Sequence, residues 1–300
     1  MSMGRRQVLV GGAALVVVGA VGGFGLVETG VVPGKRVFDV AFGACGDQAP
    51  TPVSSSGPLV SGSFVSTARS GIEVGWTVAY PPGVSASAKL PVCVALHGRG
   101  GDHSWPFAGL DLQYFLADAV TDRGVPAFAL AAVDGGDKTN WHRRQSGDDP
   151  LAMITDELLP LLAARGLSTV RIGLWGWSLG GYGALLLASA LGSQRVAAVV
   201  ATSPALWETF GATGPGTFDD EADFTANSVS SRLAQLERLP LRIDCGRDDP
   251  FAMPVRRLRA AVQPTPAGGL SAGCHDEAFW TRSAAPEIDF LGQHLGVDAS

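Results

Sequence analysis

Gly173–Leu187 reads GLWGWSLGGYGALLL. Apolar residues from Val170 (VRIGLW) run into Gly176-Trp177-Ser178-Leu179-Gly180, and an Ala/Leu-rich segment follows. The pattern is strand, tight turn and helix, with G-x-S-x-G at the turn. A serine hydroxyl is a poor nucleophile unless it is exposed, set beside a base and backed by anion-stabilising donors. A sharp strand-to-helix turn supplies those conditions. Flanking glycines let the backbone double back, and the serine stands where the unpaired N–H groups of a helix N-terminus face developing negative charge. The alternative reading of Ser178 is a plain helix cap. The legible strand before it and helix after it favour the nucleophile.

Outward from this turn the chain alternates strand and helix. Upstream, Leu90–Leu96 (LPVCVAL) is a continuous apolar run, as in a strand buried on both faces of a parallel sheet. It ends in His97-Gly98-Arg99-Gly100-Gly101, a glycine-rich loop placed where a second oxyanion donor arises in such a fold. Phe107–Asp122 reads as a helix and Pro126–Val133 as the next strand. Asp148-Asp149-Pro150 opens a helix through Ala164, with Pro160 as a kink site. Downstream, Val196–Ala201 and Leu241–Cys245 are strands. Asp249-Pro250 begins a helix through about Val262, a short strand is expected near Gly269–Ala272, and Glu277–Leu295 closes the chain as a helix. Gly62–Ala68 and Gly71–Tyr80 read as an antiparallel pair at a sheet edge. Leu206–Ser230 has no clear periodicity and reads as a lid over the strand ends. The implied fold class is α/β, a mostly parallel, doubly wound sheet carrying a serine nucleophile elbow.

Residues 62–300 are expected to form the catalytic domain, preceded by a linker or irregular entry over 31–61. Hydrophobic residues make up 46% of the chain and charged residues 17%, which supports a sizeable core and argues against disorder. A net charge of −6 gives no support for nucleic-acid binding. Arg5-Arg6 precedes a run without charge from Val8 to Val27. Over residues 1–30 this is a twin-arginine-like export signal or a membrane anchor. The early positive charge puts the catalytic domain outside the cytoplasm, either membrane-bound or secreted. Phe42–Cys45 faintly resembles a lipoprotein cleavage box, but Lys35, Arg36 and Asp39 separate it from the apolar run. Of four cysteines, Cys93 lies in a strand as a core thiol. Cys245 and Cys274 sit at strand ends, either paired with each other or as two buried thiols.

A serine nucleophile needs a histidine base, and the histidine needs an acid to fix its tautomer. In this architecture they follow in the order Ser, Asp or Glu, His. Of five histidines, His97, His103 and His142 precede the serine and His294 lies deep in the last helix. His275 follows a candidate acid and lies in a loop between strand and helix. The third residue after Gly246 is the usual place for the acid, which selects Asp249, with Asp248 in reserve. The neighbouring aspartate is expected to cap the following helix. His97, Trp141 and His142 are candidate substrate contacts. Trp141–Arg144 alternatively form a solvated loop. No H-E-x-x-H or clustered-cysteine pattern is present, so neither metal nor cofactor is expected.

Leu96–Gly101 (LHGRGG), GWSLGG continuing YGAL, Cys245–Phe251 (CGRDDPF) and Gly273–Trp280 (GCHDEAFW) together resemble α/β-hydrolases of the esterase D / S-formylglutathione hydrolase type. The mycobacterial mycolyltransferases belong to the same broad group. The resemblance covers roughly residues 65–295. It implies Ser178 as nucleophile, Asp249 as acid and His275 as base, with the N–H groups of Leu179 and Arg99 as oxyanion donors. His97-Gly98-Arg99 departs from the mycolyltransferase oxyanion loop.

The expected activity is carboxylic-ester hydrolysis through an acyl-enzyme on Ser178, acting on a small-molecule or lipid ester. Acyl transfer to a sugar or lipid hydroxyl shares the first half-reaction. A non-catalytic surface protein is the third reading, since fold alone does not fix function.

Overall fold

The computed structural model describes residues 45–84, 89–135 and 139–296. The signal or anchor expected over residues 1–30, and the start of the linker expected over 31–61, lie outside the described residues. Among the described residues no helix is long and apolar enough to cross a membrane.

Among the described residues eight strands form one sheet: β1 (Leu59–Ser66), β2 (Ile72–Ala79), β3 (Pro91–Leu96), β4 (Ala129–Val133), β5 (Ser168–Trp177), β6 (Val196–Thr202), β7 (Leu241–Gly246) and β8 (Leu270–Ser271). Their order is β1-β2-β4-β3-β5-β6-β7-β8. β1 and β2 run antiparallel, and β2 joins β4 antiparallel. All other pairings are parallel. The order reverses between β3 and β5, and a crevice opens outside the C-terminal ends of strands at such a switch point.

The parallel strands are apolar on both faces because helices cover both. Val92, Val94 and Leu96 of β3 join one core, while Cys93 and Ala95 join the other. The alternation is the two-residue period of a strand. α5 (Leu179–Leu191), α8 (Ala252–Ala261) and the segment after β6 lie over the first core. α1 (Trp105–Ala108), α2 (Leu112–Thr121) and α9 (Glu277–Gly296) lie over the second.

Four elements differ from the sequence reading. The helix expected over Phe107–Asp122 is broken between α1 and α2, where Asp111 takes a left-handed φ of 56°. The helix expected to kink at Pro160 consists of α3 (Pro150–Met153), a π-helical turn (Ile154–Leu158) and α4 (Leu159–Ala164). Proline lacks the N–H that an α-helix requires and clashes with the carbonyl four residues back. The wider turn places Leu159 N–H on Ile154 O and absorbs that misfit. The segment after β6 is irregular but not without structure. It holds a 3-10 turn at Phe210–Ala212, α6 (Glu221–Ala226), a second 3-10 turn at Val229–Arg232 and α7 (Leu233–Leu236).

The fourth difference is covalent. Cys274 is bonded to Cys45, 229 residues away, and not to Cys245. Cys245 and Cys93 are buried free thiols. Arg282 of α9 donates to Cys45 O at 2.8 Å and Ala272 O at 3.2 Å, and also to Asp47 O, so the entry segment is clamped beside the Cys274 loop. Further along it, Thr51 and Ser54 donate to Asp111 and Asp122. Part of the segment expected as linker is thus bound to the domain.

Candidate active site

β5 delivers Ser178 with φ 55° and ψ −121°, a conformation that strains any residue carrying a Cβ. Two glycines make the turn possible. A Cβ on Gly176 would lie 2.3 Å from Gly180 O, and one on Gly180 would lie 1.8 Å from Leu96 O. The second contact is why the end of β3, and the loop after it, sits against the elbow. Ser178 N–H donates to Thr202 O at 3.0 Å, and Ser178 O accepts from Ala205 and Tyr182 N–H, so neighbouring segments lock the strained turn.

His275 Nε2 lies 2.8 Å from Ser178 Oγ. Its Nδ1 lies 2.8 Å from Asp249 Oδ2. Asp249 is enclosed, with a side-chain exposure of 0%, whereas His275 keeps 21%. The second oxygen of Asp249, Oδ1, accepts Phe251 N–H at 2.7 Å. Asp249 therefore orients the histidine and also caps its own turn. The capping expected of the neighbouring aspartate falls to Asp249 itself, and Asp248 is exposed, with its backbone N–H on Gly273 O at 3.0 Å. Burial and the adjacent Asp249 carboxylate push the Cys245 thiol up, so it stays neutral.

Gly98, Arg99, Gly100 and Gly101 and the first residue of α5 line the same cleft as Ser178, with a volume of about 360 Å³. Leu179 opens α5, where N–H groups have no carbonyl one turn back to bond. Arg99 follows Gly98, which packs against Trp177 and Ser178 so closely that a Cβ would lie 2.7 Å from the indole nitrogen. Leu179 and Arg99 thus border Ser178 in one cleft.

The three candidate substrate contacts are placed differently from that expectation. His97 is 3% exposed, Trp141 2% and His142 1%. His97 Nδ1–H donates to Gly98 O at 2.7 Å, and its Nε2 accepts Gly135 N–H at 2.9 Å. Trp141 Nε1–H donates to His97 O at 2.9 Å. Both residues brace the glycine-rich loop from behind. His142 stacks on Phe218 and meets Asp223 Oδ2 at 3.0 Å, tying its loop to the segment after β6. The solvated-loop alternative holds for Arg143, which is exposed, but not for Trp141, His142 or Arg144, the last of which bonds Asp219 at 2.8 Å and Thr217 O at 2.7 Å.

Aromatic walls went unread in the sequence. Trp105, Trp177, Trp207, Phe251 and Trp280 line the cleft, and Trp105 stacks on Trp177 at 5.4 Å. Phe251 and Trp280 set their rings edge-on to His275 at 5.3 and 5.4 Å. Trp177, Phe251 and Trp280 lie inside the quoted motifs, whereas Trp105 and Trp207 lie outside them, and only the fold brings the five segments together. Below the elbow, Glu287 of α9 is fully buried. It accepts Trp175 Nε1–H at 2.8 Å and bonds the Thr202 hydroxyl at 2.7 Å. Burial, with Asp244 nearby, pushes its carboxyl well above the ordinary carboxylate range. Cys45, Cys274 and Asp276 also lie close together, but with both sulfurs in a disulfide only one carboxylate remains to offer a metal.

Three solved structures show how widely this arrangement of strands and helices recurs. A ferulic acid esterase superposes with a TM-score of 0.69 at 18% identity, over 80% of this chain and 99% of that one. An S-formylglutathione hydrolase from Agrobacterium tumefaciens gives 0.64 at 17% identity, over 84% and 99%. The fluorophosphonate-binding serine hydrolase F of Staphylococcus aureus gives 0.61 at 18%, over 79% and 99%. At these identities the likeness is one of fold. No curated protein matches the chain by sequence. The Esterase family model matches residues 67–267, a span that contains Ser178 and Asp249 and stops short of His275. By that match the chain belongs to the Esterase family, as a serine esterase built on the α/β-hydrolase fold.

Proposed function

We propose that the protein hydrolyses carboxylic esters through an acyl-enzyme on Ser178. The observation that carries the reading is the relay of two 2.8 Å contacts from Ser178 Oγ through His275 to Asp249 Oδ2. Ser178 Oγ attacks the ester carbonyl carbon as its proton passes to His275 Nε2. The oxygen that becomes negative is held by the N–H groups of Leu179 and Arg99. Collapse breaks the bond to the alcohol, which leaves with the proton from His275. Water then repeats the sequence on the acyl-enzyme, giving the free acid and restoring Ser178. Asp249 keeps Nδ1 protonated and stabilises the imidazolium.

Hydrolysis is favoured over transfer to a sugar or lipid hydroxyl because the His275 side chain remains 21% exposed, so the site is open to water. The feruloyl and S-formylglutathione names of the structural neighbours are consistent with esters or thioesters of small acids. We place the domain outside the cytoplasm, membrane-bound or secreted, on the strength of Arg5-Arg6 and the apolar run that follows. A disulfide in the domain supports an oxidising compartment. The test is turnover of p-nitrophenyl esters by wild type and Ser178→Ala, with labelling by a fluorophosphonate mapped by mass. Loss of both turnover and label in the variant is expected. A label on another serine overturns the reading. Cell fractionation, with and without Arg5→Lys/Arg6→Lys, tests location.

A further inference from the structure

Beside the Ser178 cleft lies a second cavity of about 350 Å³. The two share Trp207, whose indole forms part of the wall of each. The floor of the second cavity is Tyr182 of α5, one turn beyond Ser178, and its side is Leu258 of α8. Its roof is the segment after β6, through Phe218, Phe224 and Val229. The charged side chains at its edge, Glu208 and Arg257, are exposed and paired with each other, so they offer no unpaired charge to the interior.

The roof is fastened from outside. His142 holds Asp223 at 3.0 Å, Arg144 holds Asp219 at 2.8 Å, and Gln145 N–H holds the other oxygen of Asp219 at 2.7 Å. Tyr182 Oη–H donates to Asn227 O at 2.8 Å, tying roof to floor. Space held open by so many polar bonds is part of the fold, because an apolar void that could collapse recovers packing by doing so. Trp207 meets Phe251 edge-on at 5.6 Å toward the Ser178 cleft, and meets Tyr182 and Phe218 edge-on at 6.2 and 5.8 Å toward the cavity. This one indole is the side chain common to both walls.

We propose that this cavity takes the aliphatic acyl chain of the ester, with Trp207 as the gate between it and Ser178. The proposal rests on the esterase reading and adds its substrate class. The walls are mainly apolar, and the polar side chains among them are already bonded, Asn227 to Asp223 at 2.8 Å and Ser228 to Ser230 at 2.8 Å, so the chamber selects for apolar surface, and a chain of methylenes gains with each one it buries. A carboxylate-bearing or sugar acyl group would find no buried partner there.

The experiment compares kcat/KM for p-nitrophenyl acetate, butyrate and octanoate, with methyl ferulate beside them. The wild type should favour octanoate over acetate by tenfold or more, on the order of the gain from several buried methylenes. Val229→Trp and Leu258→Trp, which fill the cavity, should each lower the octanoate-to-acetate ratio about tenfold, read alongside thermal midpoints. A measurement free of variants compares the rate of Ser178 labelling by octyl and ethyl fluorophosphonates, the octyl reagent being the faster. Equal labelling rates, or a ratio that both fillings leave unchanged, overturn the acyl cavity and leave the esterase reading standing. Absence of turnover on every ester, together with no label on Ser178, overturns both.

Discussion

Asp249 and Phe251 are joined by a 2.7 Å hydrogen bond from the Phe251 N–H to Oδ1, and this bond dictates what the other carboxylate oxygen does for His275. In Asp249→Asn the amide oxygen must stay on Phe251 N–H, so the NH₂ turns to His275 Nδ1. Nδ1 then becomes the acceptor and the proton moves to Nε2, which can no longer receive one from Ser178. Turnover should fall by about 10⁴ with the thermal midpoint little changed, since both contacts survive. Asp248→Asn, at an exposed position, should stay within about threefold of wild type and within about 0.5 kcal/mol in stability. Kinetics and melting of the two variants side by side settle the assignment. A dead Asp248→Asn beside an active Asp249→Asn would refute it.

Ser178 is strained at φ 55°, and relieving that strain should expose what the elbow costs. Ser178→Ala and Ser178→Gly should both lose on the order of 10⁶ in kcat. Glycine accepts positive φ freely, so Ser178→Gly should be the more stable of the two by about 1 kcal/mol. Equal denaturant midpoints would mean that the turn stores no strain at this residue.

Glu287 binds a proton more tightly in the folded protein than in the unfolded chain, because burial pushes its carboxyl well above the ordinary carboxylate range. Between the ordinary and the raised value, folding takes up a proton. Stability should therefore decline as pH rises through that window, by about 1.4 kcal/mol for each pH unit that the group spans. Asp244 adds to this by repulsion, and Arg242 offsets part of it. Glu287→Gln keeps an acceptor for Trp175 Nε1–H and can donate to the Thr202 hydroxyl. It should flatten the dependence of thermal midpoint on pH above the ordinary carboxylate range. An unchanged slope would place the titration elsewhere.

Cys274 immediately precedes His275, so the bond to Cys45 bears on the base as well as on stability. Cys45→Ser should cost about 2–5 kcal/mol by freeing the unfolded chain. It should also lower kcat by loosening the His275 loop, which Arg282 alone would then hold to the entry segment. Melting and ester turnover measured with and without a reductant check both effects. An indifferent protein would show that the bond is dispensable.

The framework of the domain was legible because its parallel strands are short, almost wholly apolar runs, each ended by glycine or a polar loop. Ser178, Asp249 and His275 could be picked out because each follows a strand end in the required order. Contacts that depend on distant segments were not legible. Trp141 looks solvated in the polar stretch DKTNWHRRQ, yet it fills space that Gly135 and Gly183 leave. A Cβ on either would lie 2.4 Å from its atoms. The Cys45 pairing was not legible because Cys245 and Cys274 both stand at strand ends near the site, whereas Cys45 lies far off in the sequence and its only local pattern is a faint cleavage box. Trp105 and Trp207 join the cleft lining only through assembly, since neither stands at a spacing from Ser178, Asp249 or His275 that a strand or helix would impose.

The Cys45–Cys274 bond also alters the topology of the chain as a polymer. It turns everything from the entry segment to the threshold of His275 into one closed covalent ring with a separation of 229 residues. A protease that nicks the exposed segment between β6 and β7 would open that ring without dividing it. Ser178 and His275 would then stand on opposite sides of the cut, on two pieces still held together by the sulfur bridge. Such a nicked protein would run as one species until reduced and as two afterwards. Its active site would survive the cut for as long as the bridge did.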